Sequence, residues 1–216
     1  MNDQATKLRK MTQDNKVREK KNSNTRLITV ASGKGGVGKS NVTVSLGLSL
    51  QKLGERVLLI DGDLGMANLD ILLGVTPSYN LSHVLSGKCK IEEAIFQGPE
   101  NLSILPGTSG VEEFIDIDYR KVIKLLEISS HLEDDYDIIL IDVGAGAHAS
   151  VINFLMAADQ SLIILTPEPT AIMDAYSLVK VMADHEYNKK LGLLINQAQS
   201  EDEGHKVFDR MSKVTK

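Results

Sequence analysis

The sequence predicts a doubly wound α/β domain, with a mostly parallel sheet, helices on both faces and a flexible N-terminal arm. From Arg26 onward, short apolar runs rich in β-formers alternate with helical patterns, which is typical of parallel βαβ units. Runs such as VLLID, IILID and LIILT are apolar at nearly every position, as strands covered on both faces are. A length of 216 residues with 42% apolar content suits one hydrophobic core.

Each predicted element has its own signal. The strands are β-rich apolar runs that end in polar or glycine residues: RLITVAS (26–32), RVLLIDGD (56–63), NLSILPG (101–107), YDIILIDVG (136–144), SLIILTP (161–167) and KLGLLINQ (190–197). The helices repeat apolar residues every three or four positions: 41–54, 68–74, 81–87, 91–96, 118–133, 150–159, 171–184 and 203–216. Thr170 is the expected N-cap of the helix that follows the TPEP turn.

The chain divides into a basic arm, residues 1–25, and a globular domain, residues 26–216. Residues 1–26 hold eight Lys or Arg against three acids, a balance of +5 in a chain whose total is −5, so the remainder carries −10. Such a segment is typical of a solvated tail. However, Ala5, Leu8 and Met11 recur at helical spacing, which indicates a short helix that needs a partner to be stable.

Composition narrows the classes of function. No apolar run approaches the ~20 residues that cross a bilayer, and the first ten residues lack the apolar core of a secretion signal, so we expect a cytosolic protein. Cys89 is the single cysteine, which fits a reducing compartment and excludes an iron–sulfur or other Cys-based metal site. Since only the arm is basic, we expect no nucleic-acid partner.

The strongest motif is GKGGVGKS, residues 33–40, which fits the phosphate-binding pattern G-x-x-x-x-G-K-[ST] between a strand and a helix. Its glycines let consecutive N–H groups face phosphate oxygens, Lys39 would reach the outer phosphates and the Ser40 hydroxyl would ligate Mg²⁺. We therefore expect ATP or ADP with Mg²⁺. The predicted contacts are Gly33, Lys34, Gly35, Gly36, Val37, Gly38, Lys39, Ser40 and Asn41.

Three carboxylates and one amide follow other apolar strands, where ligands of doubly wound sheets bind. Asp61 and Asp63 have the spacing that places both side chains on one side of an extended strand, although either can be an ordinary turn acid. Asp142 has the Walker B arrangement that holds Mg²⁺. Asn196 has an amide that can pair with adenine or cap a turn.

The second loop lysine, Lys34, makes KGGVGKS resemble the deviant Walker A box of the MinD/ParA family. This resemblance implies an ATP-dependent homodimer in which Lys34 reaches the partner's nucleotide and supplies charge during hydrolysis. It also implies that Asp63 positions the attacking water, Asp61 lies on the magnesium side and Asn196 contacts adenine. It gives neither Glu168 nor Asp174 a catalytic role.

The opening DQATKLR, together with DGDLGMANLD, LSHVLSG, LPGTSG and TPEPTAIMDAY, resembles the FlhG family, also called YlxH or FleN, which regulates flagellar number and placement. The resemblance implies that Gln4, Leu8 and Arg9 contact the signal-recognition-type GTPase FlhF and stimulate it, with flagellar basal-body components as further partners. Family members usually continue into further α/β structure and a membrane-targeting amphipathic helix. Neither is present before Lys216, so we expect a missing C-terminal part, and peripheral membrane attachment only where such a helix follows.

Two alternatives stay open. One is another MinD/ParA-type ATPase that positions division machinery or partitions DNA. The other is a metabolic P-loop synthetase or kinase, which would need a pocket for a phosphate acceptor. The sequence has no insertion dedicated to such a pocket.

Overall fold

The computed structural model describes residues 25–63, 67–107, 122–125, 127, 132 and 134–214. In this part of the chain, seven strands form one sheet. Their bounds are β1 Arg26–Ser32, β2 Val57–Gly62, β3 Phe96–Gln97, β4 Ser103–Leu105, β5 Ile138–Ala145, β6 Gln160–Leu165 and β7 Lys190–Ile195. The strands lie in the order β3-β4-β2-β5-β1-β6-β7, and every pairing except β3 with β4 is parallel. The predicted sheet is confirmed.

Helices connect most of these strands. Their bounds are α1 Lys39–Lys52, α2 Leu69–Leu73, α3 Leu81–Leu85, α4 Ile91–Ala94, α5 Ala149–Ala157, α6 Pro169–Asp184 and α7 Glu201–Val214. A short 3₁₀ turn covers Pro99–Asn101. Of the helix predicted over 118–133, residues 122–125 and 127 are helical, and most of the rest lies outside the described residues.

The alternation of side chains along the central strands creates two cores. On β2 and β5, Leu58 and Ile139 pack on one face with Phe154 of α5, whereas Leu59 and Leu140 pack on the other with Val44 of α1. Successive side chains of a strand point to opposite faces, so helices on both faces are needed to bury these runs. This accounts for the near-continuous apolar sequence of β2 and β5.

Most bounds shift by one or two residues from the sequence prediction, and two of the differences have a clear physical reason. Phe96 belongs to β3 rather than to a helix, because it pairs antiparallel with Ile104 at the sheet edge. Helix α6 begins at Pro169 with Glu168 as its N-cap residue, so Thr170 lies in the first turn and its predicted capping role was wrong. Proline suits the first helical position because its fixed φ is already helical and its missing N–H is not needed there.

The parallel strands bring their carboxyl ends to a common edge of the sheet, with β2, β5, β1, β6 and β7 as neighbours. The polar segments that follow these strands therefore lie side by side, as the doubly wound fold requires. Within the described ranges, no helix has both the length and the apolar character needed to cross a bilayer.

Candidate nucleotide-binding site

The loop between β1 and α1 has the backbone of an anion cradle. Gly36 and Gly38 adopt φ values of 80° and 85°, which L side chains rarely adopt. Gly38 is the N-cap residue of α1, and neither a side-chain cap nor an acid occupies the first turn. The first N–H groups of a helix need acceptors, so this helix start suits a phosphate.

The first glycine of the loop allows close packing against α6. A Cβ at Gly33 would collide with the backbone of Asp174 and Ala175. The Ser32 hydroxyl donates to the Lys34 carbonyl at 3.0 Å and tightens the turn that follows. The loop is thus built against the start of α6, which places Lys34 beside that helix.

At the base of the loop, Lys39 forms a buried ion pair. Its Nζ lies 2.7 Å from Oδ1 of Asp142, and the two side chains are 9% and 2% exposed. The same oxygen accepts from the Thr43 hydroxyl at 3.2 Å, and that hydroxyl also lies 2.9 Å from the Lys39 carbonyl. The predicted phosphate lysine and the predicted Walker B carboxylate are therefore in direct contact, with Ser40 Oγ 3.5 Å from the same Nζ.

At the rim of the loop, Lys34 contacts its own chain. Its Nζ lies 2.8 Å from Oε2 of Glu168 and 3.0 Å from the hydroxyl of Thr170. The Lys34 and Glu168 side chains are 39% and 64% exposed, so this pair is open to solvent. The ammonium group of Lys34 is held at the start of α6.

Asp61 is buried at the end of β2, with 1% of its surface exposed. Its carboxylate accepts from the backbone N–H groups of Asp63 at 3.1 Å, Asn68 at 3.0 Å and Leu69 at 3.1 Å. Burial raises the pKa of Asp61 to about 7, and the nearby Asp142 carboxylate adds to this, although the backbone donors act in the opposite direction. Asp61 thus fixes the backbone that carries Asp63 and begins α2.

Asp63 is only half-buried, and its side chain faces the end of β5. A Cβ at Gly144 would lie 3.5 Å from Asp63 Oδ1, so the ends of β2 and β5 meet here. Gly146 has a φ of 94°, which gives the chain a sharp turn beyond Asp142. The predicted water-positioning carboxylate therefore lies beside the carboxyl end of β5, the Walker B strand.

Asn196, which directly follows β7, contacts the phosphate loop through its side-chain amide. Its Nδ2 donates to the Val37 carbonyl at 2.9 Å, and its Oδ1 accepts from the Gln197 N–H at 3.0 Å. An open groove of about 810 Å³ lies next to it, with Ile195, Ala198 and Phe208 among its lining residues.

The structure thus brings together the predicted residues of four strand ends, those of β1, β2, β5 and β7. Asn41 lies exposed in the first turn of α1. Gln4, Leu8 and Arg9 fall outside the described residues, as do all of positions 1–24, so the contacts predicted for the arm stay predictions. The metal, water and adenine roles given to Asp61, Asp63, Asp142 and Asn196 also stay predictions.

Sequence reasoning missed three contacts. Thr43 could have been found, because it lies one helical turn after Lys39 on the same face of α1. Glu168 and Thr170 sit in a segment that the fold places at the ligand edge, yet no local motif links them to Lys34. The strand order of the sheet makes that link, because β1, which precedes Lys34, lies next to β6, which precedes Glu168 and Thr170.

The site defines a P-loop nucleotide-binding protein with the extra lysine of the deviant Walker A type. A family model described as an AAA domain matches residues 25–193. The chain is 39% identical over 189 residues to the antiactivator FleN of Pseudomonas aeruginosa, covering 88% of this chain and 68% of FleN. It is 37% identical over 193 residues to the flagellum site-determining protein YlxH of Helicobacter pylori, covering 89% of this chain and 65% of YlxH.

Among solved structures, the septum site-determining protein MinD from Pyrococcus horikoshii OT3, complexed with Mg-ADP, superimposes with a TM-score of 0.74 at 34% identity. That match covers 86% of this chain and 76% of the MinD chain. The chain belongs to the MinD/ParA-type P-loop ATPases, in the branch that includes FleN and YlxH. It spans about two thirds of the length of these two relatives.

Proposed function

We propose that this chain is an ATP-hydrolysing switch that regulates the number or placement of flagella. The observation that carries the proposal is the pairing of a complete P-loop, including Lys34, with similarity to FleN and YlxH along most of the chain. The related MinD structure contains Mg-ADP, which supports ATP, ADP and Mg²⁺ as the ligands here.

The residues present fit a magnesium nucleotide. The uncapped start of α1 offers N–H donors, Lys39 offers a cation, and oxygens of Ser40 and Asp142 are the hard ligands that Mg²⁺ takes directly or through water. Bound Mg²⁺ would neutralise charge on the phosphates. Lys39 would then contact both the phosphates and Asp142, since an ammonium group has three N–H donors.

Hydrolysis in this proposal depends on two groups at the rim. Asp63 orients the attacking water. Its carboxylate lies beside the end of β5, just beyond Asp142, and Asp61 fixes its backbone. Lys34 supplies positive charge to the nucleotide of a second copy of the chain, as an arginine finger does. To do so it must leave Glu168 and Thr170, so dimer formation and release of this contact are coupled.

The N-terminal arm is proposed to stimulate the GTPase FlhF through Gln4, Leu8 and Arg9. The test is single-turnover GTP hydrolysis by FlhF with this chain, with the chain lacking residues 1–24, and with the triple alanine variant of the three residues. The deletion stops before Thr25 because the Thr25 hydroxyl donates to the Tyr136 carbonyl at 2.6 Å and Arg26 begins β1.

We expect stimulation by the full chain and none by the deletion or the triple variant, with Lys10→Ala, which like the triple variant removes one positive charge, as the charge-matched control. Equal stimulation with and without the arm would contradict the arm's role. Absence of any stimulation, with intact ATP turnover, would favour the second candidate, a positioning ATPase of the MinD kind, which the structural likeness to MinD supports.

A cytosolic location, with peripheral attachment to the inner face of the membrane only through a segment beyond Lys216, completes the proposal. The single cysteine, Cys89, suits a reducing compartment and supports the first part. Fractionation of cells that express the native protein, with and without ATP-binding mutations, would test both parts.

A further inference from the structure

We propose that Asn196 is a positioning residue that orients the phosphate loop from outside, whatever base the nucleotide carries. The inference rests on the proposed nucleotide binding and deepens it. It starts from the hydrogen bond between Asn196 Nδ2 and the Val37 carbonyl, which joins the end of β7 to the centre of the loop.

Both ends of the Asn196 side chain are used within the chain. Nδ2 donates to Val37 and Oδ1 accepts from Gln197, which fixes the orientation of the amide plane. The Asn196 backbone N–H donates to the Leu165 carbonyl at 2.8 Å, so the residue is anchored to the end of β6 as well. A residue held at three points, two on its side chain and one on its backbone, is suited to restrain a neighbour.

Val37 is restrained from its other side by the core. Its side chain is buried in a cluster with Val30 of β1, Ile164 of β6 and Ala171 of α6. With the side chain packed below and the carbonyl bound by Asn196, the peptide unit between Val37 and Gly38 has one orientation. A trans peptide is planar, so its N–H points away from its carbonyl.

This geometry assigns the Gly38 N–H. Because the Val37 carbonyl faces Asn196, the Gly38 N–H points to the opposite side, where a phosphate over the start of α1 would accept from it. Gly38 also provides the space for the contact, since a Cβ there would lie 2.5 Å from Asn196 Nδ2. The φ of 85° at this position independently favours glycine.

The test compares two ligands that share phosphates and differ in the base. Calorimetric titration with Mg-ATP and with magnesium tripolyphosphate is run on wild-type protein, on Asn196→Ala and on Asn196→Asp, which can still accept from Gln197 but cannot donate to Val37. Gln199→Ala, an exposed residue of the same loop, is the matched control.

We expect both Asn196 variants to bind tripolyphosphate about tenfold more weakly, the size of one well-placed hydrogen bond to a charged group. Unchanged tripolyphosphate affinity, with loss confined to ATP, would overturn the proposal and leave Asn196 as a contact to the nucleoside. If the alanine variant unfolds, the amide exchange of Gly38 in the aspartate variant decides the question, because the added carboxylate by itself repels phosphate. Failure of wild-type protein to bind either ligand would refute the proposed nucleotide function instead.

A second readout separates loop positioning from a general loss of structure. With ¹⁵N-glycine labelling and saturating magnesium tripolyphosphate, the Gly38 amide should exchange with solvent faster in Asn196→Asp, while the amide of Gly47 in the middle of α1 keeps its protection. Equal exchange at Gly38 in both proteins would contradict the proposed restraint, and faster exchange at Gly47 would show that the helix itself had opened.

Discussion

The two lysines of the phosphate loop stand in opposite environments. Lys39 is buried against Asp142, whereas Lys34 lies in solvent against Glu168 and Thr170. Removing one partner of a buried pair costs about 3–5 kcal/mol, but an exposed pair contributes only about 0–1 kcal/mol. The contact between Lys39 and Asp142 at the base of the loop is therefore expected to persist. The contact of Lys34 at the rim can be exchanged for another partner at small cost.

The largest expected effect comes from removing Lys39 at the base of the phosphate loop. Lys39→Ala removes the predicted phosphate cation and leaves the buried Asp142 without its ion pair, so we expect ATP affinity to fall at least about 100-fold and the melting temperature to drop. Calorimetry and thermal unfolding measure both. Lys52→Ala, an exposed lysine at the end of the same helix, is the control. Normal ATP affinity in Lys39→Ala would remove the basis for the loop assignment.

The next effect tests the neighbouring strand, where Asp61 is buried and Asp63 is half-buried. Asp63→Asn should lower ATP turnover about 100-fold while ATP affinity stays near that of the wild type, since the change removes a group that acts on water and not on the phosphates. Steady-state phosphate release and calorimetry separate the two quantities. Asp70→Asn, on the following helix, should leave turnover unchanged. Wild-type turnover in Asp63→Asn would refute the assigned role.

The buried carboxylate of Asp61 should make the free energy of unfolding depend on pH. Its folded-state pKa, about 7, lies above the ordinary value of 3.8, so between roughly pH 4 and 7 the folded protein holds a proton that the unfolded chain has released. This contribution is fully present below that window and is lost as the pH rises through it, by about 1.4 kcal/mol per pH unit while this proton dominates. Asp137, whose pKa its hydrogen bond to Arg56 lowers to about 2, acts in the opposite direction but only below about pH 4.

The measurement is urea unfolding at pH 5 and pH 7.5 without nucleotide or Mg²⁺. Wild-type protein should have the lower free energy of unfolding at pH 7.5, and Asp61→Asn should flatten the difference because it has no proton to release. Asp70→Asn should keep the wild-type slope. A slope of the opposite sign in the wild type would show that the three backbone donors outweigh burial at this carboxylate.

The contrast between base and rim also shows what the sequence could predict. The loop, its flanking strand and helix, and Asp142 are local patterns, and the strand order that makes the site is a general property of the doubly wound fold. The ion pair of Lys39 with Asp142 joins residues from distant parts of the chain, although Thr43 could have been inferred from helical spacing. The partners of Lys34 depend on how closely α6 approaches Gly33, which no local pattern encodes.

The smallest expected effect concerns the rim itself. Glu168→Gln removes the charge that holds Lys34 but keeps the shape, so Lys34 should be released more readily toward the nucleotide of a second copy. Each exposed pair contributes at most about 1 kcal/mol and a homodimer releases two of them, so the protein concentration at which ATP drives dimerisation should fall by no more than about thirtyfold. Light scattering across a concentration series in ATP measures it, with exposed Asp174→Asn on the same helix as the control. Combining Glu168→Gln with Lys34→Ala should remove the gain, because the carboxylate acts only through that lysine. A higher dimerisation threshold in Glu168→Gln would instead place Glu168 in the dimer interface. The contact between Lys34 and Glu168 would then belong to the monomer alone.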